Sequence, residues 1–211
     1  MNRFTDLIRE TYRSKTLGRT LFNWQVATRC GSIQGEVLDI AGGRSASYYR
    51  YLPRTGIHVV GTNISKSAGA ETLVDMNAPL PFADDSFDAV LLFNALYIAD
   101  DSLKTLREAR RVLKQGGALY IATPFIMGEI PEPHDFVRWT KEGLEREFVS
   151  AGFSRIEATR YGGSFSAAAN LLHGAFVFNT IRLAVYSLAL LFDRMGPAHK
   201  APLGYFSKAT K

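Results

Sequence analysis

Six short β-rich runs, at residues 37–40, 57–62, 71–74, 88–93, 118–123 and 153–160, recur along this chain with helical or turn segments between them. Parallel strands need a crossover long enough to hold a helix, and strands covered on both faces read as continuous branched and aromatic runs. The alternation therefore predicts a mostly parallel sheet covered by helices. Ser102 to Lys114 is the clearest crossover helix: Leu103, Leu106, Ala109, Val112 and Leu113 recur at helical spacing, and Gly116-Gly117 is expected to end it. Thr140 reads as the N-cap of a further helix that Gly152 closes. Residues 4–29 are predicted to form one leading helix, with Phe4, Leu7, Ile8, Leu17, Leu21, Trp24 and Val26 as its apolar positions.

A length of 211 residues, 46% of them hydrophobic, suffices for one domain with a well-buried core. Cys30 is the only cysteine, which excludes an intrachain disulfide and any cysteine-based metal site, and a reducing cytoplasm fits best. Arg3, Asp6, Arg9 and Glu10 stand where an export signal needs an uninterrupted apolar stretch. The expected location is cytoplasmic, with peripheral contact on the inner membrane face left open. His58, His134, His173 and His199 are scattered, so no metal ligand set is expected.

Charge is unevenly distributed. Residues 1–35 hold six basic and two acidic side chains, 36–181 hold fourteen and seventeen, and 182–211 hold five and one. Two basic ends on a mildly acidic body suit an anionic membrane or simply solvated helix faces. No basic block with interleaved aromatics exists, so no nucleic acid partner is expected. Residues 165–192 carry a single formal charge, Arg182, yet their uncharged pieces 165–181 and 183–192 are each shorter than the ~20 residues of a spanning helix. Asn179, Arg182, Tyr186 and Asp193 recur at helical spacing as a narrow polar stripe. Peripheral membrane contact through 165–194, a homodimer face and a core helix all stay open.

The stretch from Val37 to Ser45, VLDIAGGRS, joins an apolar run, a carboxylate and a small-residue turn in the order a nucleotide site requires. A buried strand would deliver Asp39 to the carboxyl edge of the sheet, where small residues let the backbone approach a ligand; an ordinary strand-to-helix turn shares this composition.

Taken in order, VLDIAGGRS, VVGTNIS, VDMNAPLPFADDSFDAVLLFNAL, LREARRVLKQGGALYIATP and PHDFVRWTKEGLEREFVSAGF give a chain that resembles the class I S-adenosylmethionine-dependent methyltransferases. The resemblance covers roughly residues 35–161, with residues 203–209 similar to that family's last strand. It implies a Rossmann-like α/β sheet of seven strands in the order 3-2-1-4-5-7-6, the last antiparallel, with helices on both faces. Within one methyltransferase-like domain it implies a helical cap (1–34), a cofactor-binding core (35–161), an apolar helical insertion (162–199) and the last strand (200–211).

The implied cofactor is S-adenosyl-L-methionine. By that resemblance Asp39, Ala41, Gly42 and Gly43 hold its methionine end, Asn63 its ribose with Ile64 alongside, Asp75 and Met76 its adenine, and Asn94 lies beside the methyl group. Two departures stand out: Ala41 and Ser45 replace flanking glycines, and Asn63 replaces an acidic residue. Alanine is strained wherever positive φ is required, and asparagine keeps one acceptor while gaining a donor. Leu80-Pro81-Phe82 resembles the turn that closes the adenine pocket, and Asp88 matches a structural position. Tyr97-Ile98 replaces a Glu-His pair, so the base that this histidine supplies in relatives is missing. Tyr97, His134 and Asp135 are the catalytic candidates, because histidine titrates near neutrality and a neighbouring carboxylate can orient it or take the proton. An Asp135–Arg138 ion pair bracing the loop is the competing reading.

The implied reaction is methyl transfer to a small-molecule, lipid-linked or glycan-linked acceptor. Such an in-line displacement draws its rate mainly from alignment and from excluding water. A non-catalytic binding or scaffold protein of the same fold is the rival reading. A nicotinamide oxidoreductase shares the sheet, but neither LPFADDSFD nor RVLKQGG is expected in one.

Overall fold

The computed structural model describes residues 2–43, 46–70, 72–130, 134–195 and 201–211. Its sheet contains β1 (Gly35–Asp39), β2 (Ile57–Asn63), β3 (Thr72–Leu73), β4 (Phe87–Phe93), β5 (Leu113–Pro124), β6 (Ser154–Tyr161) and β7 (Gly204–Thr210). They lie in the order β3-β2-β1-β4-β5-β7-β6, as the resemblance implies. β7 runs antiparallel between β5 and β6, while the other pairings are parallel. Asp39 at the end of β1 stands opposite Gly61 of β2 and Leu91 of β4, so the carboxyl ends of these three strands share one edge.

Period-two alternation divides the apolar residues of β4 between two cores. Val90 and Leu92 pack with Leu38, Leu106, Leu119, Ile121 and Phe148 under α3 (Ser102–Val112) and α4 (Lys141–Ser150). Ala89, Leu91 and Phe93 pack on the opposite face with Leu17, Phe22, Val26, Phe206 and Tyr186. That second face is covered by α1 (Arg3–Tyr12), α2 (Leu17–Arg29), α5 (Ser164–Leu171) and α6 (Asn179–Met195).

Two expectations about elements are corrected, and the orientation of α6, which the sequence left open, is decided. The leading segment is two helices, not one: Ser14 takes φ +55°, and the Thr16 side chain accepts from Arg19 N to start α2. The break lets α1 turn inward two acids, Asp6 and Glu10; Asp6 accepts from Trp24 Nε1 and Tyr51 Oη, and Glu10 pairs with Arg50. Second, α3 ends at Val112 rather than at the glycines. Leu113 already pairs with Phe87 and the next register is Ala89 with Ala118, so Lys114 to Gly117 form a bulge that Gly116 closes at φ +77°.

The polar stripe of α6 is its inner side. Tyr186 is fully buried and bonds His173 Nδ1 at 2.5 Å. Asp193 accepts from the backbone N–H groups of Gly163, Phe165 and Ser166, capping α5. The apolar residues Ile181, Leu188, Leu191 and Met195 are exposed instead. Among the described residues no helix is long and apolar enough to cross a membrane.

Candidate functional site

The turn after β1 is built around one buried carboxylate. Asp39 is fully buried, and its Oδ2 accepts from the Tyr48 hydroxyl at 2.7 Å, whereas its Oδ1 has no partner. Burial pushes this carboxyl up to about 7, against the opposing effect of hydrogen bonds from Tyr48 and Tyr49. Gly42 folds directly over it: a Cβ there would lie 2.1 Å from Asp39 Oδ2, so only glycine fits. Ala41 takes the strained φ of +62°. A Cβ on Gly43 would meet the backbone oxygen of Ala68 at 2.8 Å, so bulk there displaces the 66–68 turn.

Asn63, at the end of β2, braces this turn from the side. Its Nδ2 donates to the carbonyls of Gly42 at 2.8 Å and Ala41 at 3.2 Å, and its Oδ1 accepts from Ser65 N at 2.9 Å. The amide thus holds the loop itself. An acidic side chain has no donor for those carbonyls, which ties the Asn63 departure to the Ala41 departure. Ile64 next to it is 68% exposed, leaving an apolar surface on the same edge. Asp75 follows β3 and is exposed, with Oδ1 accepting from Asn77 N, while Met76 is buried. Arg111 of α3 clasps the adjoining 80–84 turn, donating to the Leu80 and Phe82 carbonyls and to Asp84 and Glu108. Asp88 lies at the opposite sheet edge and accepts from Glu36 N and Lys114 Nζ.

Two cavities meet at the end of β4. One, of about 370 Å³, is lined by Ala41, Gly42, Gly43, Tyr48, Ala68, Phe93 and Asn94, with Lys15 and Arg19 at its rim. The other, of about 170 Å³, is lined by Arg19, Phe22, Asn94, Tyr97, Met127, Tyr161 and Asn170. Asn94, at φ +51°, and Arg19 line both. The second cavity contains Tyr97 but, among its described lining residues, no carboxylate and no histidine. Burial is the main effect raising the Tyr97 phenol above its ordinary value, with Asp135 adding to it.

His134 is exposed and stacks on Phe136. Asp135 pairs with Arg138, which holds its carboxyl below the usual range, and also accepts from Ile130 N. Arg138 in turn lies 5.0 Å over the Tyr97 ring. Asp135 and Arg138 therefore brace the loop against Tyr97, and neither Asp135 nor His134 lines the second cavity. Arg19, Tyr161 and Asn170 were not among the sequence candidates. Asn170 Oδ1 accepts from Gly18 N at 2.8 Å, which joins α5 to α2 across this cavity. No local motif marks these three residues, because distant segments bring them together.

The family model described as a methyltransferase domain matches residues 38–121. The O-methyltransferase rstn1 of Aspergillus nomiae is 26% identical over 172 residues, which is 69% of this chain and 76% of that protein. The O-methyltransferase resE of Aspergillus sclerotiorum is 30% identical over 161 residues, 64% of this chain, and the chain spans 61% of that relative's length. Among solved structures, the complex of a Haloferax volcanii methyltransferase with its Trm112 activator superposes with a TM-score of 0.65 at 19% identity, covering 97% of this chain and 96% of that one. At that identity the likeness is one of fold.

Proposed function

We propose, from the premise that this chain belongs to the S-adenosylmethionine-dependent methyltransferases, that it transfers a methyl group to an oxygen of a small-molecule or lipid-linked acceptor seated in the cavity beside Tyr97. Bound S-adenosylmethionine supplies a methyl group already activated by its sulfonium charge. The observation that carries the reading is the orphaned Asp39 Oδ1, a fully buried acceptor next to a glycine turn at the carboxyl edge of the sheet. Buried polar atoms are almost always paired, so this atom suits a ligand donor such as an amino group. The residues present fit the cofactor: Asp39 and the 41–43 turn for its methionine end, Ile64, Asp75 and Met76 for its adenosine.

At the acceptor, Asn94 stands between the two cavities and orients what lies on either side. Tyr97 and Tyr161 provide phenol surfaces, and Arg19 provides positive charge that stabilises an ionised acceptor oxygen. With no carboxylate or histidine among the described lining residues, the acceptor gives up its proton to solvent before it enters the cavity, and alignment with water exclusion then supplies the rate. The two fungal relatives named as O-methyltransferases support oxygen as the accepting atom.

Calorimetric titration of the purified chain with S-adenosylmethionine and S-adenosylhomocysteine tests the cofactor assignment. Binding of both is expected, and no heat with either would return the chain to the scaffold reading. A phenolic acceptor panel then tests the reaction, with Arg19→Gln expected to lower kcat/KM at least tenfold while cofactor affinity changes less.

A further inference from the structure

The outer side of α5 and α6 is apolar where a water-facing surface is normally polar. Ten of the seventeen exposed large hydrophobic residues described lie between Phe165 and Met195. On α6 the exposed positions Ile181, Leu188, Leu191 and Met195 form one stripe at helical spacing, and Leu171 and Leu172 are likewise exposed at the end of α5. Polarity is thus reversed, since Tyr186 and Asp193 face the protein and the leucines face outward. A patch of this kind on a monomer marks an interface.

The charge next to it identifies what it meets. α1, α2 and α6 enclose a groove of about 550 Å³, where Phe4, Leu190 and Leu191 supply apolar walls and Arg3 and Arg194 supply charge. The acid lining that groove, Asp193, is engaged in capping α5. The two other acids of this layer, Asp6 and Glu10, are buried in their own network. Among the described residues neither Arg3 nor Arg194 pairs with a carboxylate, so this face is apolar with uncompensated positive charge. A second copy packed here about a two-fold axis presents the same patch, whose lining acid is already engaged in capping α5, and so offers these arginines no free carboxylate, whereas phosphate headgroups complement them.

We propose that the outer face of α5 and α6, together with the groove that α6 forms with α1 and α2, docks on the surface of an anionic phospholipid bilayer. The helices lie in the interface and do not cross it. Asn170 lines the acceptor cavity while its neighbours Leu171 and Leu172 belong to the docking face, so docking sets that cavity beside the bilayer. Delivery of a lipid-linked acceptor in this way rests on the proposed methyl transfer; docking itself does not.

Sedimentation of the full chain with vesicles of phosphatidylcholine, and of phosphatidylcholine mixed with phosphatidylglycerol, tests the proposal at low and high salt. Binding to the anionic vesicles is expected, weakened by salt. It should be lost in Ile181→Glu/Leu188→Glu and reduced roughly fivefold for each arginine reversed in Arg3→Glu/Arg194→Glu. Circular dichroism and thermal unfolding of every variant report that the fold is kept, and S-adenosylmethionine titration of the parent reports cofactor binding separately. A monomer that ignores anionic vesicles overturns docking, as does a dimer that does so and is dissociated by Ile181→Glu/Leu188→Glu. Vesicle binding by a chain that fails to bind S-adenosylmethionine upholds docking and overturns the methyl-transfer reading instead.

Discussion

Asn63 and Ala41 depart from the family pattern as a pair. A non-glycine residue in the left-handed region carries strain of roughly 1–2 kcal/mol, and the two Asn63 donor bonds hold the turn against it. Asn63→Asp restores the usual acid but sets a carboxylate beside two carbonyl oxygens, so cofactor affinity is expected to fall about tenfold, a loss of order one charged hydrogen bond. Adding Ala41→Gly should recover part of that loss, and additive effects in calorimetry would refute the coupling. Asp75→Ala is expected to weaken the cofactor by roughly 1.5–3 kcal/mol, whereas Asp88→Ala should reduce stability alone, because Asp88 lies at the far edge. Equal cofactor affinities for the two variants would count against the adenine assignment. Asp39 gives a pH signature. Its folded value of about 7 exceeds the ordinary 3.8, so between these values the folded protein holds a proton that the unfolded chain lacks. Its contribution to the stability of the cofactor-free protein is present in acid and lost as pH rises through about 7. Denaturant midpoints should therefore fall less between about pH 5 and about pH 8 in Asp39→Asn than in the parent; parallel curves would refute this.

Helical periodicity in the sequence locates α3 and α4, and the Thr140 cap is confirmed by its bond to Gly143 N. It misses the break at Ser14, since Phe4 to Val26 present apolar residues on either side of it and only the Ser-Lys-Thr stretch hints at a new cap. The bulge after α3 is hidden in the same way: Leu113 keeps helical spacing, yet its pairing with Phe87 draws it into the sheet. α5 and α6 depend on a bond that no local pattern announces, the one from Asp193 to the first turn of α5. Asp193→Ala leaves those N–H groups and the Ser166 hydroxyl without their acceptor and is expected to cost about 1–2 kcal/mol. Thermal unfolding checks the loss, and a cofactor affinity equal to the parent's would place the damage on the acceptor side.

On the proposed site, cofactor binding acts on the protein as a whole, because the 41–43 turn, the 63–64 turn and the 75–76 segment follow three different strands. At a hundredfold excess over Kd, S-adenosylmethionine is expected to stabilise the fold by about 2.7 kcal/mol. For a chain of this size that is roughly 5–10 °C in Tm, and NADH should give no such shift. The alternation of strands and helices and the small-residue turn after β1 are legible in the amino-acid sequence, and the strand order is what the family resemblance of its motifs implies. Each rests on contiguous segments, and Asp39, Gly42 and Gly43 lie within a few residues of one another. The cavity beside Tyr97 is not legible there, since Arg19, Asn94, Tyr97, Tyr161 and Asn170 come from separate elements and meet only when α2 and α5 close over the sheet. Nor is the outward face of α6. A sequence period reports that a helix has an apolar side and a polar one, but which side is covered depends on what packs against it, and here the polar residues found the partners.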